Sequence, residues 1–203
     1  MIRRSVLVLV AAMFFPIALQ ADLTNYSEDF EAMDPADPAA LSSTGWLVFG
    51  NVFDGSNFVY GYGPFGAPNG GGGFSEVATG QGGPDQGANV LNTFNDYLNA
   101  DHTNNPTWTI ESNIFQEQTI GTVDLGNIWR FSFDVKAADA PFGPAPPSTA
   151  AAFIKVLDPN NSFSQTFIVT TDLTENPDTW GGGTLDVTIG AWDGQILQFG
   201  FQS

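Results

Sequence analysis

The chain has 203 residues, no cysteine and one histidine, and it sets 22 acidic side chains against five basic ones. Two of the cations, Arg3 and Arg4, precede the first acid, Asp22, so the remainder holds only Arg130, Lys136 and Lys155 against all 22 anions. A surface this poor in Lys and Arg cannot neutralise phosphates, which excludes nucleic acid and anionic membrane as partners. It also disfavours uronic-acid polymers unless a divalent cation bridges the two negative surfaces.

Residues 1–21 have the three parts of a secretory signal peptide: the paired arginines, an apolar run over residues 6–15 that is too short to span a bilayer, and a small-residue stretch ending at Ala21. The arginine pair is a poor match to a twin-arginine signal, so the general secretory route is favoured. The mature chain is expected to start at Asp22, to carry no further membrane-inserting segment, and to work outside the cell, at its surface or in the periplasm. That compartment permits disulfides, yet there is no cysteine, so stability falls to a core or to bound ions. Roughly 180 mature residues suit one domain, and 18 Phe with five Trp supply its apolar content.

After Asp22, helical periodicity is nearly missing and strand signals dominate. In the first half, residues 46–53, 58–62, 88–91 and 107–115 read as strands separated by glycine-rich loops. Residues 61–87 read as one long loop; residues 70–73, all glycine, lack the Lys and Ser or Thr of a phosphate loop. Over residues 128–137, Trp129, Phe131, Phe133, Val135 and Ala137 alternate with Arg130, Ser132, Asp134 and Lys136, the pattern of a half-buried strand. Residues 139–148 hold four prolines and cannot enter a central ladder. The continuous apolar run 150–157 and the β-branched and aromatic run 163–171 suit strands at the centre of a packed sheet, joined as a hairpin by the Asn- and Pro-containing turn at 158–162. Residues 185–189 and 197–201 alternate again and read as half-buried strands. Many short strands punctuated by turns predict an all-β, antiparallel β-sandwich, with a jelly roll as the favoured architecture.

Three stretches carry a resemblance. Glu28, Asp29, Phe30 and Glu31 precede Gly45 and Trp46; residues 128–137 precede 151–158; and Thr179 with Trp180 precedes the runs 185–189 and 194–201. Together they resemble the jelly-roll, galactose-binding-like carbohydrate-binding modules of secreted bacterial polysaccharide-degrading proteins, over nearly the whole mature chain. The resemblance implies a structural calcium site near the amino terminus, with Glu31 and Asp29 as its metal ligands. Such modules close with a further strand bearing an Asp-Asn-Val-like motif, whereas here Ser203 directly follows a strand. Either another segment replaces that strand or the chain is a fragment of a longer protein.

Calcium is the cofactor that the composition best allows, since hard oxygen ligands abound and soft ones are missing; the competing reading leaves the same carboxylates solvated at a strand start. A sugar site needs aromatic faces and polar groups together. Tyr60, Tyr62 and Tyr97 take precedence because their hydroxyls want solvent or a ligand, with Asp96 beside Tyr97 and with Trp108 as further candidates. Trp46, Trp129, Trp180 and Trp192 are assigned to packing. His102 sits in a polar turn with no nucleophile elbow anywhere in the chain, and no strand presents the alternating acids of sandwich-fold glucanases. The expected function is therefore a non-catalytic domain for neutral polysaccharide. The alternative is a structural or adhesive extracellular domain, stabilised by calcium, that meets a neighbouring surface protein or oligomerises through an exposed final strand.

Overall fold

Period-two alternation organises the chain. In the computed structural model, which describes residues 22–136, 149–174 and 179–203, it yields ten antiparallel strands, with three short 3-10 turns and one single-turn α-helix, α1 (Asp101–Asn104), among those residues. The strands are β1 (Leu47–Asp54), β2 (Asn57–Gly66), β3 (Ser75–Thr79), β4 (Asn89–Thr93), β5 (Trp108–Thr119), β6 (Ile128–Val135), β7 (Ala151–Asp158), β8 (Ser164–Asp172), β9 (Gly181–Thr188) and β10 (Ile196–Gln202). Residues 1–21, expected to be a signal peptide, and the proline-rich segment 139–148 lie outside the described residues.

Six strands form one sheet in the order β2-β1-β5-β10-β7-β8, and two antiparallel ribbons, β3-β4 and β6-β9, pack on it. The register shows that both ribbons cover the same face. Val48 pairs with Ile114, Ile114 with Phe201 and Phe201 with Ala152, so these inward side chains share one side of the sheet. One core gathers Val48 and Ile114 with Trp46, Leu41 and Val77 under the β3-β4 ribbon. The other gathers Ile154, Val156, Leu197 and Phe199 with Leu185 and Val187 of β9, and Trp129, Phe131 and Phe133 pack against it from β6. The chain is thus an all-β, antiparallel sandwich whose second layer is split in two.

Between the ribbons runs a strap, the segment from Leu23 to Met33. Gln118 Oε1 accepts the Thr24 N–H at 2.7 Å, and Asp124 Oδ2 accepts the Leu23 N–H at 3.0 Å, which draws the strap across β5. Tyr26 joins the two cores. Its ring meets Trp46 edge-on at 6.2 Å and Phe199 at 5.7 Å, while its hydroxyl accepts from Gln116 Nε2 at 3.1 Å.

Several expectations are corrected. The stretch 61–87 is not one loop, since the end of β2 and all of β3 fall inside it. β8 is an edge strand, half exposed in alternation, because only β7 pairs with it; the continuous apolar run of β7 is the one that lies inside the sheet. The final strand is not open. β10 pairs with β5 on one side and β7 on the other over its whole length, so Leu197 to Gly200 are all buried and no free edge remains for strand addition there. The expected hairpin of β7 and β8 does form, through a turn capped by Asp158, whose Oδ1 accepts the Asn160 N–H.

Candidate functional site

Two neighbouring features account for the residues singled out from the sequence. The first is a tyrosine–carboxylate network on the inner side of β2. The Tyr60 hydroxyl donates to Asp101 Oδ2 at 2.6 Å and the Tyr62 hydroxyl donates to Asp96 Oδ2 at 2.8 Å, with the two rings 6.0 Å apart. Asn99 Nδ2 donates to the Tyr60 hydroxyl at 3.3 Å. Gly50 makes this possible: a Cβ there would lie about 2.2 Å from the Tyr62 ring, so only glycine lets the ring cross β1. Asp96 is buried, at 7% exposure, and its own N–H donates to Ser112 Oγ. Burial is the main cause that pushes the Tyr62 hydroxyl pKa upward, and the carboxylate of Asp96 adds to it. Tyr60 is also raised, chiefly by its bond to Asp101. Both hydroxyls are therefore engaged within the protein, and the network anchors the segment 94–105 to the sheet.

Tyr97 behaves differently. It is 61% exposed, stacks flat on Phe94 at 6.3 Å and 10°, and has the His102 ring at 5.7 Å on α1. Trp108 stands apart at the start of β5, half-buried opposite Asp54, with its backbone N–H donating to the Asn105 carbonyl.

The second feature is a cleft of about 1900 Å³ where the second layer is split. Phe199, Phe201 and Gln202 of β10 contribute to its lining, with β4 along one flank, β6 along the other, and Tyr97 at the rim. Both polar groups and rings line it. Asn92 and Asn95 come from the β4 side, while Trp129, Phe133, Asp134 and Trp180 come from the β6-β9 side. Gln86 Nε2 donates to Asp134 Oδ2 at 2.8 Å, which links the loop before β4 to β6. Of the sequence candidates, the structure brings Tyr60, Tyr62 and Asp96 into the network and Tyr97, Asp29 and Glu31 into the lining of the cleft. It adds Trp129 and Trp180, which alternation and turn context assign to packing. Trp129 does pack, 4.7 Å from Phe199, but it also faces the gap. Trp192 packs on Phe167 at 5.3 Å, as expected.

The amino-terminal acids are turned onto the chain. Glu31 Oε1 accepts the N–H groups of Ala88 and Asn89 at 2.7 and 2.6 Å, Asp29 Oδ1 accepts the Glu31 N–H, and Glu28 Oε1 accepts the Phe30 N–H. Among the described residues, no group of three or more His, Asp or Glu side chains could hold a metal ion. Glu31 thus clamps the strap to the β3-β4 ribbon, whereas the Asp29 bond stays within the strap. Also among the described residues, no helix is long and apolar enough to cross a membrane. Comparison with protein-family models, with curated proteins and with solved structures finds no match to this chain.

Proposed function

We propose that the chain is a secreted, non-catalytic domain of the carbohydrate-binding-module type, a jelly roll that holds glycans lacking anionic groups, neutral polysaccharides first among them. The observation that carries this reading is the cleft between the ribbons. It is concave, it mixes aromatic faces with amides and carboxylates, and it is large enough for several sugar rings; known ligand pockets run to about 1,000 Å³. Aromatic faces suit the apolar side of a pyranose, and Asn and Asp side chains suit its hydroxyls. Affinity electrophoresis of the mature chain through gels containing neutral polysaccharides tests it. Retardation that is lost in a Tyr97→Ala, Trp180→Ala double variant of unchanged fold is expected; free migration in every polysaccharide rejects the reading.

A structural or adhesive role ranks second, and one observation favours it. β2 is a sheet edge with no charged residue, on which Phe58, Val59 and Phe65 are 60%, 40% and 56% exposed. Such an edge could pair with a neighbouring surface protein or a second copy. Two register shifts and Pro64 interrupt its ladder, however, and these are features that deter strand addition. Light scattering with and without calcium, on the parent and on a Phe65→Lys variant, separates this role from a monomeric binding domain. A mass of one chain in both conditions removes it.

A further inference from the structure

Among the described residues, six acids line the cleft: Glu28, Asp29, Glu31, Glu76, Asp85 and Asp134. Two cations accompany them, Arg130 and Lys136. Arg130 is held on Asp186 through two hydrogen bonds of 2.7 Å. Lys136 is held by a ring: its Nζ stands 5.3 Å from the centre of Trp180, a cation–π contact inside the cleft. The chain thus seats one ammonium of its own on an indole face. A Cβ on Gly83 would meet the Gln86 amide at 2.5 Å and the Trp180 ring at 2.8 Å, and the same amide donates to Asp134, so the loop carrying Asp85 brings the indole and Asp134 into one neighbourhood. An indole offers its electron-rich face to a cation, and nearby carboxylates add charge-assisted hydrogen bonds that a neutral hydroxyl cannot match. The surplus of negative charge along the walls draws cations in from a distance and repels anions.

We infer that the cleft selects, among non-anionic glycans, chains of amino sugars bearing free ammonium groups, with Trp180 as the platform and Asp134 and Asp85 as the counter-charges. The inference rests on the glycan-binding reading above and sharpens it. Lys136 then plays the part of an internal competitor, occupying the indole face until the ligand's ammonium displaces it.

Calorimetric titration of the mature chain at mildly acidic pH and low salt tests this, using the hexamers of glucosamine, N-acetylglucosamine and glucose. The glucosamine hexamer is expected to bind at least about tenfold more tightly than its acetylated counterpart, an advantage that shrinks as salt is added. Replacing Asp134→Asn and Asp85→Asn together removes the advantage. A control of equal net charge, Asp22→Asn with Asp54→Asn, both exposed and outside the cleft lining, keeps it. Lys136→Gln is expected to raise affinity for the glucosamine hexamer, the sign opposite to that of a residue needed only for folding. Equal affinity of the parent for the three hexamers overturns the inference and leaves the glycan reading standing. Loss of the advantage in the control as large as in the cleft variant overturns it too, by assigning the preference to bulk acidity. Binding of none of the three removes both readings.

Discussion

Glu31 Oε1 receives two backbone N–H groups where the chain enters β4, and so it fastens the strap to the second layer. Charge-assisted bonds of this kind contribute roughly 1.5–3 kcal/mol each when a partner is removed. Glu31→Ala is expected to destabilise the fold by about 2–4 kcal/mol in urea unfolding, with the denaturant slope unchanged. If Glu31 serves only as this clamp, calcium leaves the melting temperature of parent and variant where they were; a calcium-dependent rise in the parent that the variant loses would reassign Glu31 to a metal. Tyr26, wedged between the two cores, has its hydroxyl pKa pushed from 10.0 up to about 12, first by burial and then by Glu28. The folded state therefore holds that proton more tightly than the unfolded state does. Below pH 10.0 both states are protonated and stability is unaffected; between pH 10.0 and about 12 the unfolded chain ionises first and stability falls. Chemical denaturation across that window should show the loss, and Tyr26→Phe should flatten it. A Tyr26→Phe profile as steep as the parent's would transfer the effect to Tyr62.

At the level of elements, β10 is the strand on which the large sheet depends. Gly200 lies in register between Phe115 of β5 and Phe153 of β7, both buried. A Cβ on Gly200 would sit about 2.1 Å from the Ile114 carbonyl oxygen and 2.7 Å from the Phe115 Cα, contacts with backbone that no rotamer can relieve. Gly200→Ala is therefore expected to cost about 1–3 kcal/mol, from forced separation of β5 and β10, and Gly200→Val more. Thermal unfolding followed by circular dichroism checks this; a Tm within a degree of the parent's would mean that the strands can part freely. β6 shows the opposite case, an element whose residue pattern states its environment outright. Its Trp129, Phe131, Phe133 and Val135 are half-buried while Arg130, Ser132 and Asp134 are exposed, as period two requires of a strand with one wet face.

On the scale of the molecule, charge acts as a single-signed field. From Asp22 onward, 22 acids are set against three cations. The Arg130–Asp186 bridge, 2.7 Å long with both side chains largely exposed, contributes little. Screening should therefore relieve repulsion more than it weakens attraction. Raising salt from low to moderate concentration is expected to stabilise the fold by about 1 kcal/mol, read as a rise in Tm of roughly 2–4 °C for a domain of this size. A fall in Tm would show that attractive pairs dominate. The same field bears on the cleft, whose walls carry more acids than bases.

Alternation and turn residues by themselves determined that the chain is all-β, that β7 and β8 make a hairpin, and that β6 and β9 have one apolar face, because each of these is a local consequence of side chains pointing alternately to two sides of a strand. The acid excess set which ligand classes to expect against, since charge is additive over residues whatever the fold. Which strand stands beside which was decided only by tertiary pairing. Leu197, Phe199 and Phe201 alternate as a half-wet strand would, yet β10 lies at the sheet's centre, where Gln198 is buried by donating to Glu117. Phe167, Ile168 and Val169 look like a buried run, yet β8 is an edge. Tyr60, Tyr62 and Asp96 could be named as polar-tipped candidates, but that the hydroxyls face carboxylates distant in the chain could not. The cleft is the clearest instance: Trp129, Asp134 and Trp180 come to line one gap with Tyr97 and Asn92 only because the second layer divides into two ribbons, and a gap between elements has no residue of its own to signal it.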